Sequence, residues 1–450
     1  MKGPSSKQPQ PSPVVGDEPD RCPSLRGCCC CSSSCCCGPH HATGMASPVK
    51  ISSSKIVALC SMANFINAAD RVIMPIAVVP MTDEYQWNMG VQGWILSAFS
   101  YGYISSQVIG GKAALRFGGR MTLGLAVLVW SLATFMTPAL SQTVNLLIAS
   151  RIMLGFAEGF CLPTIFHIFA QHVPVEERSR AFGYLVALGS IGQTVASVIC
   201  PHLSWPMMFY VFGFIGLVWA LIWILVFRDQ ATDVDPHLLF NPTLDTTNSV
   251  RWTSYLSHRA LWAIYAAHFA MNWSNYIVLS WLPTYLQRHL GANAKDISLT
   301  ALPYIMNSLI GVVAGHYADS LISKKHWTVL SVRRLMTTIG LLGPSLFLLC
   351  FSYVDNLVLA VCFVSISLGL CGCNSSGHMS NHPDVAPNHA GISFAVSNTL
   401  ATLPGLACGP VTALVVGSTG YWYPVFVMAS AVNIGGALIY VSQSSASQIL

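Results

Sequence analysis

Long apolar runs recur from residue 55 to the C-terminus of this 450-residue chain, separated by short loops that are polar or marked by Gly and Pro. Each run has roughly the 20 residues that an α-helix needs to cross the hydrocarbon core of a bilayer. Lipid offers the backbone no hydrogen-bonding partner, so such runs must be helical. The pattern predicts an all-α polytopic membrane protein with about twelve spanning helices. The predicted spans are 55–80, 92–114, 119–140, 145–172, 179–201, 206–227, 259–287, 297–321, 331–352, 356–378, 389–418 and 422–443.

Composition and the placement of charge agree with this interpretation. Only 9% of the residues are charged and 53% are hydrophobic, whereas roughly a quarter of the residues of a soluble domain are charged. Outside the spans, Lys and Arg fall in the N-terminal tail and in loops on one side of the bundle, and the opposite side receives only Arg288 and Lys295. The positive-inside rule then places both termini and the central loop in the cytosol, or in its topological equivalent within an organelle. The net charge of +5 reflects this topology, and nucleic acid is not an expected partner.

The order of the loops indicates an internal duplication. The loop that starts at Gly111 and the loop that starts at Gly315 are as far apart along the chain as Lys55 and Arg259, where the first and seventh spans begin. Such an offset predicts two pseudo-symmetric six-helix halves. The predicted organisation is a cytosolic tail at 1–54, an N-terminal half at 55–227, a cytosolic linker at 228–258, a C-terminal half at 259–443 and a short C-terminal tail at 444–450.

The tail at 1–54 is rich in Pro, Ser and Cys, and we expect it to be disordered. Eight of the 16 cysteines lie between Cys22 and Cys37, mostly side by side. Adjacent cysteines fit neither a zinc site nor a spaced disulfide framework. S-palmitoylation is one hypothesis for them. An unmodified tail and a true start at Met45 are the alternatives.

Four charged residues fall inside the predicted spans, all of them in the N-terminal half: Asp70, Arg71, Arg151 and Glu158. Each costs roughly 2.5–3.5 kcal/mol at mid-membrane, so such residues usually pair or line a watery cavity. Two structural ion pairs are one interpretation, although buried pairs stabilise poorly compared with apolar packing. We favour a site, in which Arg71 and Arg151 bind an anion while Asp70 and Glu158 bind the coupling H⁺ or help to bind Na⁺.

Several stretches of the chain form a recognisable set, including "DRVIMPIAVVPM" from Asp70, "RIMLGFAEGFCLP" from Arg151 and "HFAMNWSNYIVLSWLPTY" from His268. Together they resemble the anion:cation symporter family of the major facilitator superfamily, the group of sialin, the vesicular glutamate transporters and the plant family-4 phosphate transporters. The segments 331–344 and 375–399 look most like the plant and algal plastid phosphate-transporter branch. The resemblance implies anion binding by Arg71 and Arg151, proton coupling by Glu158, and a plastid envelope or thylakoid membrane. A plasma or endomembrane location stays open.

Further residues are candidates by depth and family position. Neutral donors and aromatics for the substrate are Tyr101, Tyr103, Asn272, Trp273, Asn374 and Ser376. Packing through a buried hydrogen bond is an equal alternative for each. The resemblance also suggests cytosolic gating residues, which are Asp319, Glu177, Arg178 and Arg180. A solvated turn is the alternative for the last three.

The combined prediction is a secondary active transporter that works by alternating access, with inorganic phosphate as the first choice of substrate and H⁺ or Na⁺ as the coupling ion. The alternatives are an organic-anion carrier for ascorbate or a sugar acid, an uncoupled facilitator, and a transporter-like sensor. No nucleophile–base pair, metal motif or Gly-rich phosphate loop is recognisable, so neither an enzyme nor a cofactor is expected. A monomer is the expected state.

Overall fold

The computed structural model describes residues 52–173, 175–226, 253–387 and 390–449. Nearly all of the cysteine-rich tail and most of the predicted linker lie outside this part of the chain, so the disorder and palmitoylation hypotheses are not addressed by it. Twelve long helices are present in the described ranges, and no residue in those ranges is in a β-strand. They are α1 Ser53–Tyr85, α2 Met89–Phe117, α3 Gly119–Leu140, α4 Val144–Glu158, α5 Val175–Ile199, α6 Trp205–Val226, α7 Arg259–Arg288, α8 Ala301–Ser323, α9 Val329–Phe351, α10 Leu357–Cys371, α11 Ala390–Thr419 and α12 Tyr423–Gln443.

The predicted membrane class is confirmed by these helices. Ten of the described helical segments are both long enough and apolar enough to cross a bilayer. The remaining two, α2 and α7, have 29 and 30 residues. Both pack along the others as members of the same bundle, which gives twelve in all. The described ranges also contain shorter helical pieces: Cys161–His172, Cys200–His202, Ser254–Ser257, Ala294–Ile297, Ser298–Thr300, Gly372–Ser375, Met379–Asn381 and His382–Val385.

The helix packing repeats after six helices. In the first half α1 packs on α5, α2 on α4 and α3 on α6; in the second half α7 packs on α11, α8 on α10 and α9 on α12. This repetition confirms the two pseudo-symmetric six-helix halves. The halves meet where α2 packs on α11, α5 on α8, and α1 on α7.

Two spans that the sequence predicts as continuous are interrupted, and at matching positions. Helices α4 and α10 each have 15 residues, and each is followed by a glycine. A Cβ on Gly159 would lie 1.9 Å from Ser106 Oγ of α2, and one on Gly372 would lie 2.5 Å from the Asn307 carbonyl oxygen of α8. The chain breaks where it approaches the facing helix too closely for a side chain. Interrupted helices at equivalent places in two repeats are a pointer to a binding site between them.

Glycines also bring α2 and α4 into close contact. A Cβ on Gly155 would lie 2.0 Å from the Phe99 carbonyl oxygen, and one on Gly102 would lie 1.9 Å from the Ile152 carbonyl oxygen. Small residues of this kind let helix backbones approach each other in membranes. The contact places the charged face of α4 directly against the aromatic residues of α2.

Polar contacts between the halves lie at mid-depth or toward the end opposite the start of α1. At mid-depth Asn398 Nδ2 donates to Gln107 Oε1 at 2.9 Å. Toward the far end, Ser298 Oγ donates to the Val198 carbonyl at 3.3 Å, and Arg288 forms an ion pair with Asp83. The last two contacts join the two halves at that end.

We predict that Gly155→Ala destabilises the protein. The added methyl group meets backbone that cannot yield, and overpacking of this kind costs about 1–3 kcal/mol. Gly435→Ala on α12 is the matched control, because a Cβ there meets nothing within 4 Å. Thermal unfolding in nanodiscs measures both variants. Equal transition temperatures for the two would contradict the packing described above.

Candidate functional site

The neighbouring residues Asp70 and Arg71 of α1 contact different helices: Asp70 contacts α3, and Arg71 contacts α4. Arg71 Nε donates to Glu158 Oε2 at 3.2 Å, and the Glu158 side chain is 0% exposed while that of Arg71 is 23% exposed. Glu158 is the last residue of α4, directly before the interruption at Gly159. The ion pair therefore lies at the broken point of a spanning helix, with the arginine the more accessible partner.

Aromatic rings of α2 hold the two arginines. The guanidinium carbon of Arg71 lies 4.5 Å from the ring centre of Tyr103 and 5.1 Å from that of Phe99. The guanidinium carbon of Arg151 lies 5.9 Å from the ring centre of Phe99. Phe99 therefore contacts both cations, an arrangement that offsets part of the cost of removing them from water. Arg151 is buried, and its Nε has no hydrogen-bond partner among the described residues.

Asp70 points away from Arg71 toward α3. Thr134 Oγ1 donates to Asp70 Oδ2 at 3.4 Å, and the residue is buried. Its second carboxylate oxygen, Oδ1, has no hydrogen bond within the described ranges. The ion pairs found there do not include Asp70 either. Asp70 is thus a second buried carboxyl group, separate from the pair between Arg71 and Glu158.

A cavity of about 250 Å³ opens beside Arg71, between the two halves. Among the described residues that line it, Arg71 is the one charged side chain, and the facing wall is made of amides and phenols. That wall includes Gln193, Asn272, Asn275, Tyr276, Tyr304, Asn307 and Asn398. A smaller space of about 40 Å³ joins Arg71 to Arg151 past Phe99 and Tyr276. We call the two spaces together the anion cavity, because the charged side chains among their described lining residues are the cations Arg71 and Arg151.

The structure brings only some of the predicted neutral residues to the anion cavity. Tyr103 and Asn272 line it, and Asn272 Nδ2 also donates to the Ala401 carbonyl at 2.9 Å. Tyr101 is 39% exposed and lies beside Trp94 instead. Residues two apart on a helix point to nearly opposite sides, so Tyr101 and Tyr103 cannot both face one cavity.

Three further candidates lie in the packing of the C-terminal half. Trp273 stacks on Phe269 with ring centres 6.0 Å apart. Asn374 is buried and donates to the Gly340 carbonyl at 2.7 Å, which joins α9 to the turn after α10. Ser376 accepts a hydrogen bond from Arg333 through its carbonyl oxygen at 3.0 Å. The structure therefore places Trp273, Asn374 and Ser376 outside the anion cavity.

Several cavity residues were not among the predicted site residues. Gln193, Asn275, Tyr276 and Asn307 all line the anion cavity. The feature of the sequence that could have identified them is an amide or phenol side chain within an apolar run. A packing role explains that feature equally well. Tyr276 is the most central of them, because it lines both spaces of the cavity.

The predicted gating residues have no described ion-pair partner. The exposed Asp319 near the end of α8 is absent from the ion pairs in the described ranges. Instead Arg333 Nε donates to Asp384 Oδ2 at 2.8 Å at the same end of the bundle. Glu177, Arg178 and Arg180 begin α5, but their side chains lie outside the described part.

A histidine cluster lies in the interior of the C-terminal half. His268 contacts Ser397 at 2.8 Å, His382 contacts Ser393 at 2.8 Å, and the rings of His268 and His378 are 5.7 Å apart. No group of three His, Cys, Asp or Glu residues in the described ranges is arranged to hold a metal ion. The cluster tethers α11 to α7 and to the turn after α10.

Comparison with known proteins identifies the family. Residues 60–408 match the Major Facilitator Superfamily. The chain belongs to this superfamily and is an integral, multi-pass membrane protein. It is similar to human sialin, with 36% identity over 376 residues, 79% of this chain and 76% of the relative.

Two plant relatives cover more of the chain. The chloroplastic ascorbate transporter of Arabidopsis thaliana is 33% identical over 410 residues, 88% of this chain and 75% of the relative. The chloroplastic sodium-dependent phosphate transport protein 1 of the same species is 33% identical over the same length, with 80% of the relative covered. Among solved structures, a bacterial homologue of the lysosomal transporter Spinster, inward-facing and occupied, has the same fold with a TM-score of 0.72 at 15% identity, over 87% of this chain and 97% of that one.

We predict that Tyr103→Leu lowers the free energy of unfolding by about 0.5–2 kcal/mol, because the leucine has no aromatic ring face to contact the guanidinium group of Arg71. Tyr103→Phe keeps the ring and should keep the stability. Tyr101→Leu is the control on the same helix outside the anion cavity. Thermal unfolding in nanodiscs checks all three. A loss in Tyr101→Leu as large as that in Tyr103→Leu would exclude the ring contact as the cause.

Proposed function

We propose that the protein is a secondary active transporter of a small anion, with inorganic phosphate as the first candidate substrate and H⁺ or Na⁺ as the coupling ion. The observation that supports it best is the pair of arginines around Phe99 beside a cavity with no negative side chain in its described lining. An arginine fork matches phosphate or carboxylate oxygens. The named functions of the Arabidopsis relatives, phosphate and ascorbate transport, point to the same class.

Coupling to a proton follows from competition for Arg71. An anion that enters the cavity and binds Arg71 displaces the carboxylate of Glu158 from its 3.2 Å contact. A buried carboxylate without its cation is strongly destabilised, so Glu158 then binds a proton. Protonation of Glu158 in turn releases Arg71 for the anion. The proton and the anion therefore favour each other's binding, as linkage requires of a symporter.

Asp70 is proposed as the second ion-binding group. Its unpartnered oxygen lies in the interior beside Thr134, away from the anion cavity. A carboxylate oxygen together with a hydroxyl group suits a hard cation such as Na⁺, and a proton at the same oxygen removes the charge instead. The choice between H⁺ and Na⁺ as coupling ion is the first question for experiment.

Alternating access is proposed to move the two halves about the anion cavity. The cation–anion pair lies wholly on the N-terminal half, and the neutral wall comes largely from α7, α8 and α11. The contacts from Arg288 to Asp83 and from Ser298 to Val198 must break for the far end to open. At the other end, the pair between Arg333 and Asp384 is a candidate brace of the C-terminal half, and gating by Glu177, Arg178 and Arg180 stays a proposal.

An organic anion is the second candidate substrate. The cavity of about 250 Å³ offers amides opposite Arg71, and amides donate and accept hydrogen bonds with hydroxyl groups. Such a wall suits ascorbate or a sugar acid, and the ascorbate transporter among the relatives agrees. A plastid membrane is the proposed location, because both Arabidopsis relatives are chloroplastic.

Labelled phosphate should accumulate in proteoliposomes under an imposed pH or Na⁺ gradient. Arg71→Ala should lower uptake about a hundredfold, since charge-assisted hydrogen bonds are worth up to about 3 kcal/mol. Arg116→Ala, at the exposed end of α2, is the matched control and should transport normally. If functional protein transports ascorbate but not phosphate, the substrate is an organic anion and the assignment of phosphate is wrong. Loss of uptake in both variants would remove the special role of Arg71.

Glu158→Gln should uncouple uptake from the pH gradient. The amide keeps the size of the side chain but binds no proton, so exchange of internal for external phosphate should persist while gradient-driven accumulation falls to background. Glu84→Gln is the control, because Glu84 does not line the cavity. Its Oε2 accepts a hydrogen bond from Trp205 Nε1 at 2.6 Å. Accumulation at the wild-type level in Glu158→Gln would show that Glu158 does not carry the coupling proton.

A further inference from the structure

A groove of about 690 Å³ lies between α5 and α8, next to the anion cavity. Apolar side chains from both helices form much of its walls, among them Val186, Ile191, Leu309 and Val312. None of the described residues that line it is charged. We call it the α5–α8 groove.

The α5–α8 groove adjoins the anion cavity through shared residues. Asn275 of α7 and Asn307 of α8 line both spaces. A single molecule that passes these two amides can therefore have one end at Arg71 and the other end in the groove. The first end meets a cation, and the second meets apolar side chains with scattered neutral polar groups.

The rim of the groove faces outward from the bundle. Val186, Leu309 and Val312 are 66%, 58% and 63% exposed, near the middle of their helices. Of the ten segments that are apolar and long enough to cross a bilayer, those of α5 and α8 are the least buried, at 28% and 22%. Exposed apolar residues in the middle of a spanning helix lie at the depth of the lipid chains. The groove is therefore accessible from the hydrocarbon region.

We propose that the α5–α8 groove holds the hydrocarbon chain of an amphiphilic anion whose head group binds at Arg71. The protein then binds single-chain alkyl phosphates more tightly than inorganic phosphate. This rests on the proposed function in one respect, because the head group uses the same arginine. Complementarity supports the choice of occupant: an uncharged groove beside a cationic cavity matches a ligand with a neutral chain and an anionic head.

The test measures binding of ethyl, butyl and hexyl phosphate to the protein in nanodiscs, by competition with labelled hexyl phosphate. Burial of each methylene group should tighten binding about fourfold until the groove is filled. Gly183→Leu is the decisive variant, because Gly183 lines the groove and a Cβ there meets nothing within 4 Å. The leucine should fill the groove and reduce the hexyl-to-ethyl affinity ratio of that variant to near one.

Gly435→Leu is the matched control, since a Cβ at Gly435 also meets nothing within 4 Å and that glycine lies on α12 outside the groove. It should keep the wild-type ratio, and hexyltrimethylammonium should not compete. Equal affinity for ethyl and hexyl phosphate in the wild type would overturn the proposal, as would equal ratios in the two leucine variants. Phosphate uptake without a chain-length effect would leave the proposed function standing. A chain-length effect that Gly183→Leu removes, in a protein that carries no phosphate, would support the groove and reject phosphate as substrate.

Discussion

The cost of placing charge in lipid governs the N-terminal half. Arg71, Arg151 and Glu158 are tolerable there because each has compensation: a carboxylate at 3.2 Å from Arg71, and the ring of Phe99 against both guanidinium groups. The compensation is incomplete. Arg71 borders a cavity, and Asp70 Oδ1 has no hydrogen-bond partner among the described residues. Ionisable residues inside a membrane are usually functional, and this incomplete compensation is the basis for proposing that the site binds an anion and a cation.

Backbone proximity makes that compensation possible. The glycines of the α2–α4 contact allow the carbonyls and Cα atoms of the two helices to touch, and this brings Phe99 and Tyr103 over the arginines. The second half repeats the packing of the first, including the glycine after its fourth helix, but its corresponding helix carries no charged side chain. The two halves thus share one scaffold and differ in chemistry. One supplies charge, and the other supplies neutral hydrogen-bonding groups and shape.

The sequence was sufficient to predict the spans and their charged residues, because lipid imposes helicity and makes any ionised residue conspicuous. It did not predict the interruptions at Gly159 and Gly372, which depend on contact with a facing helix. It could not assign the rotation of each helix. Tyr101 and Tyr103 are equivalent in composition and depth, yet only Tyr103 meets Arg71. The sequence also did not reveal that Asn374 donates to the Gly340 carbonyl or that Arg333 pairs with Asp384. Both interactions are tertiary contacts, and Arg333 and Asp384 are 51 residues apart along the chain. The amides of the cavity wall were visible as polar residues but not as a group.

The balance of charge at mid-depth has an electrical consequence. With both carboxyl groups ionised, the two arginines and two carboxylates sum to zero, so on the proposed mechanism a carrier with an empty site would change conformation without moving net charge through the membrane field. One proton with a monovalent anion keeps that sum, and the loaded step is then voltage-independent as well. A divalent anion with a single proton leaves one uncompensated charge, worth about 2.3 kcal/mol per 100 mV. On the proposed mechanism with one coupling proton, the charge of the bound anion therefore decides whether transport is electrogenic.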